Sequence, residues 1–494
     1  MIEPGSRARS RSRTFVLVLA GVLAAAIAID LWRMPVQVSD SLQEMLDAQA
    51  SPSIATSFGN AIGTTSYLRP LRIAQIKALF DLAQGRYYHL VYRGFHALLI
   101  VLLIRLFVQA LPIASPLDAA AAAVALTVLT GLHTFLGFLR EAFPINHFLE
   151  IAVLVLVALN LTLSNGGVPR ARWKGLLIDL LAGITFAVAA LTLESGVLIW
   201  VVIAAAWIVG LRGVSTRGLI LVTALLAGYF VLRFWYLDTG LPSLTERTSG
   251  FFLERLEPKE IQQRFGDRRL VFYAYNVAAS LLSVLFSEPR DGLFVATRAW
   301  RGGDVHPHAY LTVLSSLAMT VVMAFAAITW LRQRRPAQAG HYGARSTLSR
   351  HARLAIVALV VIAANAALSF SYTKDDIIAI AGVFYAIAAF AAIRATLEWG
   401  QGGVLRGLAV SIVMLTLASA WAMRSSGVHH VMNEHAFRTR NDWAELPLRW
   451  QEQGRWPKEP QPLALIEQLR NDAIDAEVPN PQMVPEWRGL WYGD

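Results

Sequence analysis

Cysteine is absent from the 494-residue chain, which removes disulfides, thiolate metal sites and cysteine nucleophiles together. Charge is scarce as well. Only 16% of the residues are Asp, Glu, Lys or Arg, against roughly 25% in an ordinary soluble domain. Glycine-rich phosphate loops of the GxxxxGK(S/T) type, a GxGxxG fingerprint and a GxSxG nucleophile elbow are all missing. The common soluble nucleotide-binding and serine-hydrolase designs are thereby excluded. No repeat of 20–50 residues is visible, so a solenoid is excluded too.

What fills the chain instead is apolar: 55% of residues are hydrophobic and the mean hydropathy is +0.47. A chain of this composition cannot cover its surface with polar groups, so lipid must cover part of it. The net charge, 44 − 34 = +10, would suggest nucleic acid in a soluble protein. Here it is expected to hold loops on the cytoplasmic side, with no nucleic-acid partner.

Eleven apolar runs predict an all-α, polytopic membrane protein of about eleven spans. The first, 14–32, follows a basic segment, 1–13, carrying Arg7, Arg9, Arg11 and Arg13. It is as long as a full span of about 20 residues and lacks a clear small-x-small cleavage site, so it reads as an uncleaved first helix. Ten more runs lie near 88–111, 117–136, 147–164, 174–193, 196–211, 217–236, 308–331, 353–372, 376–395 and 405–423. An odd number of spans puts the N-terminus in the cytoplasm and the C-terminus outside. Arg170, Arg172, Lys174, Arg212, Arg217, Arg332, Arg334, Arg335, Arg345, Arg350 and Arg353 then fall on the inner side, as the positive-inside rule expects. The expected organisation is a transmembrane unit over 14–423 with outside segments near 33–87 and 237–307. A Trp- and Pro-rich outside tail follows over 424–494. The apolar stretch Val271 to Phe286 reads as a helix lying in the interface.

Three carboxylates collect at the outer face on this topology. Asp40 follows the first span, Glu141 occupies a short turn, and Glu194 sits in the Leu193-Glu194-Ser195-Gly196 turn between two apolar runs. Cations share that face: Arg69 in the first loop, Arg233 near a span end, and Lys374 in the Tyr372-Thr373-Lys374-Asp375-Asp376 turn. An acid and clustered cations at a lipid–water boundary suit one chemistry. A carboxylate takes the proton of an acceptor hydroxyl while cations stabilise a departing phosphate. For any single cation, snorkelling or headgroup binding is the simpler account. The cluster His429, His430, Glu434 and His435 lacks the spacing of HExxH or HxxEH and reads as a polar juxtamembrane stretch. A pair of acids could hold Mg²⁺ or Mn²⁺ through water, although no ligand set is visible.

Tyr67-Leu68-Arg69-Pro70-Leu71, followed by Tyr88-His89-Leu90 and His96-Ala97, resembles a pattern of GT-C membrane glycosyltransferases. The likeness is greatest to the branch of the transmembrane and tetratricopeptide-repeat O-mannosyltransferases and their bacterial relatives. Leu132-His133 before Glu141-Ala142, Glu194-Ser195, Phe230 to Arg233 and Asn441-Asp442-Trp443 resemble further motifs of that branch in the same order. The resemblance implies a polyprenyl-phosphate sugar donor and inverting transfer at the outer face of the inner membrane, onto an acceptor hydroxyl of a protein or glycan. It implies Asp40 as general base, Glu141 as a second acid, and Arg233 or Lys374 against the donor phosphate. His89 and His96 would line the donor or hold the fold; a buried histidine bonding a neighbouring helix is the commoner case. Departures are plain: Ser41 follows Asp40 instead of a second acid, Thr134 replaces a proline, Leu193 replaces a lysine, and Lys374 replaces an arginine. The tetratricopeptide repeats are absent. An O-antigen-type polymerase or ligase would use the outside-loop arginines Arg247, Arg255, Arg264, Arg268 and Arg269. A transporter would need ionisable groups near the bilayer midplane, and a non-catalytic relative would keep the fold without the chemistry.

Overall fold

The computed structural model describes residues 4–38, 40–63, 67–141, 147–164, 172–239, 256–286, 300–302, 306–333, 348–369, 375–478, 480 and 491. Every regular element among them is helical. The first half runs α1 (Pro4–Trp32), α2 (Asp40–Ala50), α3 (Ile54–Gly63), α4 (Pro70–Leu82), α5 (Tyr88–Ala110), α6 (Pro116–Gly131), α7 (His133–Arg140), α8 (Phe148–Leu163) and α9 (Arg172–Thr192). After a 3-10 turn at Glu194–Val197 come α10 (Leu198–Ile208), α11 (Thr216–Phe230) with a π-helical end Val231–Tyr236, α12 (Pro258–Phe265) and α13 (Arg269–Leu285). The remainder is α14 (Pro307–Gln333), α15 (Arg350–Leu368), α16 (Asp375–Gly400), α17 (Val404–Glu452) and α18 (Pro460–Asp475).

Eight of these helices are long and apolar enough to cross a membrane, and the pair α6 and α7, bent by 58°, makes up to nine. The protein is a multi-pass helical membrane protein. Two of the expected runs, 147–164 and 196–211, form helices of 16 and 11 residues, shorter than the roughly 20 residues of a full straight span. Both are extremely apolar and largely buried in the bundle, so neighbouring helices cover them. The stretch expected to lie in the interface is α13, which packs on α15 and α16.

The bundle is organised around α16. Of its most apolar 18-residue window, 89% is buried, and α6, α7, α8, α14, α15 and α17 all pack on it. The run from Ala379 to Ala392 is rich in alanine, and small side chains let helix backbones approach where lipid offers no hydrophobic drive. Gly382 marks the closest approach: a Cβ there would lie 2.0 Å from Thr134 Oγ1.

Polar contacts sort into two ends. At one end, Arg394 Nε donates to Asp118 at 2.6 Å, and Ser215 donates its N–H and Oγ–H to Asp179. At the other end, Asp30, Gln37, Arg69, Glu141, Glu194, Arg233 and His435 gather, joined by the ties described below and by an Asp30–His429 pair. The tail differs from a separate cap. α17 is one 49-residue helix, about 70 Å long, and the boundary expected at 423 falls inside it. Its far half docks on the extended segment 34–38: Trp443 Nε1 donates to Val36 O at 2.6 Å, and Gln37 Nε2 donates to Arg140 O and to His435 Nε2, both at 2.9 Å.

Arg93, on α5 and 1% exposed, holds the same segment from the other side. Its Nε donates to Met34 O at 2.8 Å, its Nη2 donates to Pro35 O, and its Nη1 donates to His96 Nδ1 at 3.2 Å. Replacing it strands two buried carbonyls. Arg93→Met is expected to lower stability by about 2–4 kcal/mol, seen as a reduced thermal unfolding midpoint in lipid nanodiscs. An unchanged midpoint would show that water reaches those carbonyls.

Candidate functional site

The motif around Arg69 folds for local reasons. Pro70 occupies the first turn of α4, where its missing N–H costs nothing, and Leu68 is buried beside it. Arg69 is left at the helix start with its guanidinium 4.2 Å from the centre of the Tyr67 ring, and Arg72 follows three residues on, on the same helical side. Glu194 is presented by a tight reversal: Leu193 is extended and the 3-10 turn follows at once. Gly196 makes that turn possible, since a Cβ there would lie 2.3 Å from the carbonyl carbon of Ala189.

These elements meet. Arg69 donates Nε to Glu194 Oε1 at 3.0 Å and to Oε2 at 2.9 Å, and Nη2 to Oε2 at 2.6 Å. Arg233 Nη1 approaches the same carboxylate, 3.7 Å from Oε1, and donates to Tyr229 Oη at 3.1 Å. The π-helical end of α11 carries Arg233 into this position, buried, while Phe230, Phe234 and Trp235 on the same turn are exposed. Beside this group Arg72 Nη2 donates to Glu44 Oε1 at 2.9 Å. A cavity of about 480 Å³ opens onto the cluster, lined by α2, α3 and α4 with Glu44, Asp47, Ser51, Ser57, Asn60, Tyr67, Arg69 and Arg72.

The electrostatics favour an added anion. Three guanidinium groups, Arg69, Arg72 and Arg233, bond or approach two carboxylates, Glu44 and Glu194, and Asp47 lines the same cavity. Among the described residues, the Nε atoms of Arg72 and Arg233 are buried without a hydrogen-bond partner. Burial, followed by the charge of Arg69, lowers the pKa of Arg72. Burial likewise raises that of Glu44, with Arg72 opposing it. A buried cation beside another cation, holding an unspent donor, is relieved by a negative ligand.

The expected site residues divide accordingly. Arg69, Glu194 and Arg233 come together. Asp40 is the exposed first residue of α2; it lies one turn before Glu44, and the acids lining the cavity are Glu44 and Asp47. His89 donates Nε2 to Trp32 O at 2.7 Å, and His96, fully buried, donates Nε2 to Phe138 O at 2.9 Å; both tie backbone segments together. Lys374 lies outside the described residues, as do Arg247 and Arg255. Arg264, Arg268 and Arg269 are exposed on α12 and at the start of α13. The histidines after the last apolar run diverge: His429 pairs with Asp30, His430 lies 3.3 Å from Glu434, and His435 meets Gln37. Among the described residues no three His, Asp or Glu side chains converge as metal ligands.

Glu44 and Arg72 were not singled out from sequence. Their signal is spacing: Glu44 stands four residues after Asp40, and Arg72 three after Arg69. No protein-family model matches the chain, and neither a curated protein nor a solved structure matches it.

Glu141 takes a different position from the open cluster. It is 1% exposed, and its two oxygens accept the N–H groups of Phe148 at 2.6 Å and Leu149 at 3.2 Å, capping α8. Burial pushes its pKa up to about 8 from the ordinary 4.5, with the Phe148 N–H opposing and Asp376 adding to the rise. Below about pH 4.5 both folded and unfolded chains hold this proton; between there and about 8 only the folded chain does. Stability contributed by this group therefore falls as pH rises across that window. Glu141→Gln, which cannot ionise, is expected to flatten the decline in thermal midpoint across the same window. Parallel profiles for the two proteins would refute the assignment.

Proposed function

We propose that the chain is a GT-C-type membrane glycosyltransferase of the inner membrane. On this reading it crosses eleven times, with α8 and α10 as short crossings, its N-terminus in the cytoplasm and its C-terminus outside. It transfers a sugar from a polyprenyl-phosphate donor to an acceptor hydroxyl on a protein or glycan. The observation that carries the proposal is the cluster of Arg69, Arg72 and Arg233 around two carboxylates beside a polar cavity. It lies at the end of the bundle where α1 and α11 stop. A lipid-linked phosphate has its charge at that depth and its tail in the bilayer.

The chemistry is a displacement. The acceptor oxygen attacks the anomeric carbon, the bond from that carbon to the phosphate oxygen breaks, and configuration inverts. The acceptor proton passes to a carboxylate on α2, and the polyprenyl phosphate leaves against the arginines. Fixed donors aimed at a departing phosphate lower the barrier because they need no reorganisation as charge develops. Arg233 and Arg72 suit that part through their unspent Nε–H groups. The resemblance assigns the proton to Asp40, whereas Asp47 and Glu44 are the acids facing the cavity.

Purified protein in nanodiscs, titrated with short-chain polyprenyl-phosphate mannose and related donors, tests this through binding and donor hydrolysis. Arg233→Ala is expected to slow turnover about a hundredfold. Asp40→Asn is expected to abolish turnover with binding retained. Loss confined to Asp47→Asn or Glu44→Gln moves the base along α2, and no binding of any donor overturns the enzyme reading.

A further inference from the structure

A second cleft, of about 520 Å³, lies where the C-terminal end of α18 faces the junction of α1 and α5. It shares no lining residue with the cavity over Arg69, and the inference below does not depend on the proposed function.

Its walls are of opposite charge. One carries Arg33 and Arg86, the other Asp472, Asp475 and Glu477. Among the described residues none of these five charges forms an ion pair with another, although they line one cleft. The acids are also crowded: burial, then the neighbouring charge of Asp475, raises the pKa of Asp472. Two cations and three carboxylates lining one cleft are complementary to a ligand bearing both charges. The anion belongs against arginine, whose fork matches phosphate, and an N–H-bearing cation belongs against the carboxylates.

The floor of the cleft fixes the depth of that ligand. Trp32 is the last residue of α1, Tyr87 immediately precedes α5, and Leu90 is in its first turn. All three are substantially exposed, at 45%, 50% and 51%. Trp and Tyr at span ends mark the headgroup level of a bilayer. The ring of Trp32 is held, since His89 contacts it edge-on, centres 5.4 Å apart, and bonds its carbonyl. The α18 wall is fixed to the same junction by Gln468 Nε2, which donates to Arg86 O at 3.0 Å. A small zwitterion at headgroup depth, with an apolar leucine leading down to the chains, is a phospholipid head.

We propose that this cleft binds the headgroup of phosphatidylethanolamine. Its phosphate is held by Arg33 and Arg86, and its primary ammonium donates to Asp472, Asp475 and Glu477. Phosphatidylcholine fits less well because its ammonium has no N–H to donate. Phosphatidylglycerol fits less well because it brings no cation to the acids.

The test is native mass spectrometry of the full chain in detergent, with dioleoyl phosphatidylethanolamine, phosphatidylcholine or phosphatidylglycerol added singly. One saturable ethanolamine lipid is expected, bound about tenfold more tightly than the other two. Asp472→Asn with Asp475→Asn is expected to erase that preference, and Arg86→Gln to weaken all three. These groups are exposed, and unchanged thermal midpoints would confirm that the variants fold. Equal retention of the three lipids, or a preference that survives the double variant, overturns the proposal. So does displacement of the lipid by soluble O-phosphoethanolamine or by a soluble glycan at equal concentration.

Discussion

The end of this bundle that carries Arg69 depends on the anchoring of five residues. The segment 34–38, Met-Pro-Val-Gln-Val, is neither helix nor strand, so its carbonyls have no partners of their own and are surrounded by protein. Such groups are costly unless donors are brought to them. Arg93 supplies donors to Met34 and Pro35, and Trp443 supplies one to Val36. α2 leaves this segment at Asp40, α4 packs on α2 and α3, and Arg69 and Arg72 reach Glu194 and Glu44.

The two ends of the bundle use charge in opposite ways. At the α16 C-terminal end, Asp118 accepts the N–H groups of Ala114 and Ser115 as well as Arg394 Nε. Its hydrogen-bonding capacity is spent on capping α6 and fastening α16. At the other end Glu194 is shared between two arginines, and among the described residues the Nε–H groups of Arg72 and Arg233 have no acceptor. The first arrangement is closed and holds helices together. The second keeps capacity for a further anion.

Much of this was legible in the sequence. The apolar runs locate the membrane helices, because a span must satisfy its backbone internally and so leaves a continuous hydrophobic record. Glu194 was legible because a lone acid between two apolar runs has nowhere to go but a helix end. Arg69 and Arg233 were legible as cations expected at the same end as Glu194. Glu44 and Arg72 were not, since on short amphipathic helices a buried charge and a solvated one read alike; only the partner distinguishes them. The roles of His89 and His96 follow from backbone carbonyls of Trp32 and Phe138, 57 and 42 residues away, and no local pattern records such a contact. The length of α17 was hidden for another reason. Hydropathy reports where lipid ends, and a helix continues past that point whenever protein takes over the packing.

That helix has a mechanical consequence. It is fixed within the bundle, where Arg424 donates to the carbonyls of Gly131 and Thr312 and to two serine hydroxyls. It is fixed again far along, where Trp443 grips Val36. A rod secured at two separated points works as a lever. Were its membrane half to lean with a thinner or thicker bilayer, the displacement would be delivered to the segment from which α2 and α4 are hung. Bilayer thickness would thus be felt as a change in the mouth of the cavity, with no hinge between them.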